Sequence, residues 1–216
     1  MTNNLKEVLV YLTDYRRLNK KAGPNNGYFD PIKSLELVLQ FLTNMLNYDT
    51  NEVVRSTLLE NVSYVLLDSI NKLSDNVQFI DKILGPAIGN LCRIMANQDM
   101  NLQSNLMDSG LSVNQMVGKN QDSNSNDNKT REVNLRSLHY EILQKLRFSD
   151  YKIRYAGLLV IENIITSIGL TYENLWPEAM PIFYELFEDD SQKVEAKTRE
   201  ICRKIKGIIG DNMEGF

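Results

Sequence analysis

Histidine is almost missing from this 216-residue chain: His139 stands alone, beside two cysteines and five prolines. Cys92 and Cys202 lie far apart with no CxxC spacing, so no zinc or haem ligand set can be written, and two lone thiols fit a reducing compartment. Charge of one sign is also lacking. The 24 Lys and Arg against 28 Asp and Glu leave a net −4, and a sequence pI near 5.2 removes the simplest electrostatic argument for a dedicated nucleic-acid-binding domain. The amino terminus mixes charges with its apolar residues and does not read as a signal peptide. Long apolar runs are absent too: the longest, Ala156 to Ile168, is interrupted by Glu162, Asn163, Thr166 and Ser167 and falls short of the roughly 20 residues a membrane span needs. A nuclear or cytoplasmic protein is expected. There is no Gly-rich phosphate loop, GxSxG elbow or HExxH pair, so neither an enzyme nor a cofactor or small-molecule substrate is expected.

What the chain does have is 43% hydrophobic residues, enough for one buried core. They recur at spacings of three and four, never in sustained alternation, which predicts an all-α protein. Leu5, Val8, Leu9, Leu12 and Tyr15 form a first amphipathic stripe. Asp30-Pro31 starts a second helix through Leu35, Val38, Leu39, Leu42 and Met45. A third is expected from about Asn51 to Leu73. Asp75 or Asn76 can cap a fourth through Phe79, Ile83, Ile88, Leu91 and Met95, with Gly85-Pro86 marking a bend or break. Residues 118–130 (GKNQDSNSNDNKT) hold no aliphatic or aromatic side chain and cannot offset their ordering entropy by burial. Residues 98–131 are therefore expected to be a flexible polar insertion, with a short helix around Leu102, Leu106 and Leu111. Asparagine is common throughout, 24 of 216 residues, so the Asn-rich stretch is assigned no function.

The last third contains a repeat. An offset of 41 pairs Ile142 with Phe183, Leu146 with Phe187, Ile153 with Val194, Val160 with Ile201, Ile164 with Ile205, Ile168 with Ile209 and Gly169 with Gly210. Each copy reads as a helix, a short polar turn and a second helix ending at glycine, the pattern of HEAT or armadillo repeats. The second helix of the first copy is apolar on several faces from Tyr155 to Ile168, as an interior solenoid helix would be. The last has a narrow stripe (Val194, Thr198, Ile201, Ile205, Ile208), as a terminal cap would. A looser third copy sets Val54-Arg55 where Ile153-Arg154 stands later. The expected organisation is an α-solenoid of HEAT-like helix pairs: N-terminal helices over 1–97, the insertion over 98–131, and two repeats with a capping helix over 132–216.

Several features of that last third are specific in combination: Asp150-Tyr-Lys-Ile-Arg154, Leu175-Trp176-Pro177-Glu178, Glu185-Leu186, the acidic turn Glu188-Asp189-Asp190, Lys193-Val194-Glu195 and a closing Ile-Gly-Asp-Asn-Met segment. With them, residues 135–216 resemble the C-terminal region of the large HEAT-repeat U-three small-nucleolar-RNA-associated protein family of the small-subunit processome. Two departures stand out: the Asn-rich insertion is longer than expected there, and family members are many times longer than this chain. The resemblance implies a nucleolar, non-catalytic scaffold in pre-ribosomal RNA transcription and processing. Its implied partners are processome proteins and the pre-ribosomal or U-three small nucleolar RNA, directly or through those proteins. A HEAT or armadillo adaptor of another pathway, such as nuclear transport or phosphatase scaffolding, is the alternative.

The candidate contacts are basic. Lys193, Lys197, Arg199, Arg203, Lys204 and Lys206 crowd the last helix and could meet RNA backbone or a partner. Against this stands the plainer reading of a solvated face with cations suited to a helix C-terminus. Arg16, Arg17, Lys20 and Lys21 form a candidate nuclear-localisation or RNA patch. His139 is read as a structural or surface residue, the acidic turn as helix capping at Asp190 or Ser191, and Trp176 as packed between the two repeats.

Overall fold

A computed structural model describes Leu37 and residues 52–108 and 134–210; for 52–61 and 98–108 it describes the helical backbone alone. Apart from Leu37, which is helical, the first two expected helices lie outside the described residues, as do the cluster Arg16, Arg17, Lys20 and Lys21 and the segment 118–130. The helices are α1 (Glu52–Lys72); α2 (Val77–Phe79), which runs through a π turn (Ile80–Leu84) into α3 (Gly85–Asp108); α4 (Leu135–Lys145); α5 (Tyr151–Ile168); a 3-10 segment (Gly169–Asn174); α6 (Trp176–Leu186); and α7 (Gln192–Ile209). No strand occurs among the described residues. The chain is an all-α solenoid.

The local chemistry explains these bounds. Asn76 caps α2, its side chain accepting from the Phe79 N–H at 3.1 Å. Asn134 and Ser137 form a reciprocal capping box at the start of α4. Asp150 accepts from the Lys152 N–H at 2.9 Å to open α5. At Gly85-Pro86 the helix does not break. Proline lacks an N–H, and the turn before it is wound with π-type bonds, Gly85 N–H donating to the Ile80 carbonyl. The helix continues to Asp108, so helical backbone extends past residue 98, where the polar insertion was expected to begin.

The repeat is visible in the element bounds themselves. α6 starts and ends 176 − 135 = 186 − 145 = 41 residues after α4, and α7 follows α5 by 192 − 151 = 209 − 168 = 41. Both second helices stop at a glycine with positive φ, 55° at Gly169 and 79° at Gly210, a conformation that a side chain with a Cβ disfavours.

Helices α3, α5 and α7 stack in one layer, and α1, α4 and α6 form the other. This layering corrects the third repeat copy. Glu52–Lys72 occupies the layer of first helices, and Val77–Asp108 takes the second-helix place beside α5. One apolar dipeptide followed by arginine could not fix that register, because any buried helix of the solenoid offers the same pattern.

α5 is the centre of the core. Its residues Leu158, Val160, Ile161, Ile164 and Ile165 are completely buried, and together with the 3-10 segment it is long and apolar enough to cross a membrane. Here that apolarity is met by neighbouring helices: α3 and α7 flank α5 within its layer, and α4 packs on it from the other. Against α3 the approach is close. A Cβ added at Gly89 would stand 2.8 Å from the Asn163 carbonyl oxygen, and one at Gly85 would stand 2.5 Å from Asn163 Nδ2.

Candidate partner-binding groove

The two C-terminal repeats are clasped by one arginine. Arg154, on α5, is 8% exposed. Its Nε and Nη2 donate to Asp189 Oδ2 and Oδ1 at 2.7 and 2.8 Å, and Nη2 also donates to Asp190. Its Nη1 donates to the Phe148 and Ser149 carbonyls, both at 2.8 Å. The planar guanidinium thus binds the α4–α5 turn of its own repeat and the α6–α7 turn of the next. This corrects the capping role expected for the acidic turn. Ser191 is the N-cap of α7 but makes no side-chain capping bond; the Ser191 N–H donates instead to Asp189 Oδ1 at 2.8 Å. Burial alone would raise the Asp189 carboxyl, but the Arg154 guanidinium and the Ser191 N–H hold it below the usual carboxylate range.

Beside the clasp, the turn into α2, the start of α5 and the stretch of α7 from Lys193 to Arg203 line a groove of about 970 Å³. Lys152, Lys193, Lys197 and Arg203 line it, against the carboxylates of Asp75 and Glu200. Tyr151 and Val77 on its walls are 40% and 44% exposed, and Tyr155 and Ala196 complete its apolar lining. Lys152 Nζ meets Asp75 at 2.5 Å, and this hydrogen bond raises the lysine pKa.

The six cations of α7 separate into two sets. Lys197 is drawn in, 2.7 Å from Glu162 of α5 and 3.1 Å from Glu200. Burial opposes its charge, and the two carboxylates more than compensate, so its pKa is raised. Lys204 also reaches Glu162, at 3.4 Å. These two bind α7 to α5. Arg199 pairs with Glu195 at 2.9 Å and lies over the Phe187 ring. Lys193, Arg203 and Lys206 are exposed and have no ion pair among the described residues. A helical wheel drawn from sequence finds the basic rows; it does not show that Glu162, 35 residues before Lys197, neutralises one of them.

His139 and Trp176 are interior. Trp176, buried at the start of α6, packs edge-on to Phe183 of the same helix, ring centroids 5.4 Å apart. His139 is completely buried. Its Nε2 lies 3.2 Å from the Tyr172 hydroxyl; its Nδ1 has no hydrogen-bond partner and stands 4.0 Å from Glu178 Oε2. Burial, reinforced by Arg136, pushes its pKa down to about 4. The unfolded chain therefore takes up this proton first as pH falls. Stability is complete above the unfolded value of about 6.5 and declines as pH drops from there to about 4. The loss over that window is on the order of 3 kcal/mol. Thermal melts should show it in the parent chain and show a clearly smaller loss in His139→Gln, which retains a hydrogen-bonding group opposite Tyr172.

No family model matches the chain. Curated relatives do. Human HEAT repeat-containing protein 1 is 23% identical over 195 residues, 87% of this chain and 8% of that protein. Zebrafish HEAT repeat-containing protein 1 is 29% identical over 79 residues, 37% of this chain and 4% of that protein. U3 small nucleolar RNA-associated protein 10 of Schizosaccharomyces pombe is 32% identical over 79 residues, 37% of this chain and 5% of that protein. Over most of its length the chain is thus similar to a region of the human protein, and over about a third of it to the other two; it spans less than a tenth of each of the three.

Proposed function

We propose that this chain is a non-catalytic HEAT-repeat scaffold segment of ribosome biogenesis, acting in the small-subunit processome on the transcription and processing of small-subunit ribosomal RNA. The observation that carries this reading is the 87% of the chain similar to human HEAT repeat-containing protein 1, with the naming of the yeast relative as a U3 small nucleolar RNA-associated protein in support. The mechanism is positional. Stacked helix pairs hold a surface of fixed spacing on which protein and RNA partners are distributed. The protein works in the nucleolus, with processome proteins and pre-ribosomal or U3 small nucleolar RNA as partners, directly or through one another.

Depleting the protein tests this reading: small-subunit rRNA should fall relative to large-subunit rRNA while its precursor accumulates, and an unchanged ratio would overturn the proposal. The outer face of α7 is the candidate RNA contact within it. Arg199→Glu, Arg203→Glu and Lys206→Glu together should leave the helical circular dichroism intact and reduce cross-linking to precursor RNA several-fold, because three backbone-neutralising charges are reversed. Unchanged cross-linking removes that face from the RNA surface.

A further inference from the structure

The groove between α2, α5 and α7 has an unbalanced charge of its own. Of its four cations, Lys152 is matched by Asp75 and Lys197 by Glu200 and Glu162. Lys193 and Arg203 have no carboxylate among the described residues. They stand ten residues apart on α7, nearly three turns, or about 15 Å along the helix. Alongside them are the exposed ring of Tyr151, the half-buried ring of Tyr155 and the side chain of Val77. A volume of about 970 Å³ is at the upper end of what well-formed ligand clefts enclose.

We infer that this groove binds an acidic peptide segment of a partner protein, with carboxylates at Lys193 and Arg203 and an apolar residue between them against Tyr151 and Tyr155. The alternative polyanion, a single RNA strand, fits less well. It carries a phosphate at every nucleotide, and between Lys193 and Arg203 those phosphates would meet Lys152 and Lys197 already balanced by Asp75 and Glu200, so they would lose hydration without gaining a free cation. A peptide can place its acids at the two free cations only and offer apolar or amide groups elsewhere. The inference shares Arg203 with the candidate RNA face and otherwise concerns the chain and a synthetic probe, so it can fail without the processome reading failing.

The test uses the full 216-residue chain and a fluorescein-labelled peptide of about 14 residues with acidic residues at two positions about four to five residues apart, roughly 15 Å in an extended chain, with Leu and Phe between them and uncharged polar residues elsewhere. Controls are its Gln/Asn counterpart and a 12-nucleotide single-stranded RNA. Saturable anisotropy is expected for the acidic peptide and not for the uncharged one. Lys193→Glu with Arg203→Glu should weaken binding about tenfold or more, and binding should weaken further as salt is raised. Arg199→Glu with Lys206→Glu, outside the groove, should change it less than about twofold. All four positions are exposed, and circular dichroism verifies the fold of each variant. The inference is overturned by no saturable binding to the parent chain, by equal losses in the two variant pairs, or by RNA that occupies the groove and displaces the peptide.

Discussion

Arg154→Leu is expected to lower the stability of the chain by about 3–5 kcal/mol, the range found when one member of a buried ion pair is removed. The reason lies more in what is left than in what is lost. Asp189, whose side chain is 6% exposed, would remain charged in a poorly solvated place, and the Phe148 and Ser149 carbonyls would lose their donor. Asp189→Leu should cost less, because the guanidinium keeps Asp190 and the Phe148 and Ser149 carbonyls as partners. The double variant should cost less than the sum of the two, because neither charge is then left alone. Chemical denaturation of the four proteins measures this directly. The pH dependence follows from the depressed Asp189 pKa: its contribution is present above the ordinary carboxylate value near 3.8 and is lost as pH falls through the lower folded value. That window lies below the one assigned to His139, so an acid titration of stability should fall in two stages, and Arg154→Leu should weaken the lower one.

Gly89→Leu should destabilise by about 3 kcal/mol, near the top of the usual range for overpacking. An added Cβ meets the Asn163 carbonyl oxygen at 2.8 Å and the Ser167 side chain closer still. A backbone oxygen cannot rotate away as a side chain can, so the α3–α5 contact itself must separate. Gly207→Ala makes the contrast. That position on α7 is exposed and an added Cβ has nothing within 4 Å, so the substitution should stabilise by about 0.5–1 kcal/mol through helix propensity and a less mobile unfolded chain. Equal effects at the two glycines in thermal unfolding would show that the helices do not meet as closely as described.

These two sites also show what could be read from the sequence. The 41-residue offset was legible because it is written in apolar periodicity and closing glycines, and both are local consequences of burying a helix face and ending it in the left-handed region. The several apolar faces of α5 likewise announced an interior helix. The Arg154–Asp189 clasp was not legible in this way. Carboxylates before a helix are explained equally well by capping, and only the packing of one repeat on the next brings the arginine 35 residues upstream into reach. The same applies to Lys197 and Lys204 against Glu162, and to Gly89, where a helical glycine far from any turn carries no signal until its partner helix is known. The repeat register of Glu52–Lys72 failed for a related reason: periodicity identifies a buried helix but does not assign its layer.

The central claim is that this helical scaffold serves small-subunit ribosomal RNA, and its most direct test is to purify the tagged protein from its own cells at mild salt and sequence the RNA that accompanies it. Strong enrichment of the small-subunit rRNA precursor and of the U3 small nucleolar RNA is the predicted result. Recovery of a stable protein partner with neither RNA above background would contradict it and identify a HEAT adaptor of another pathway.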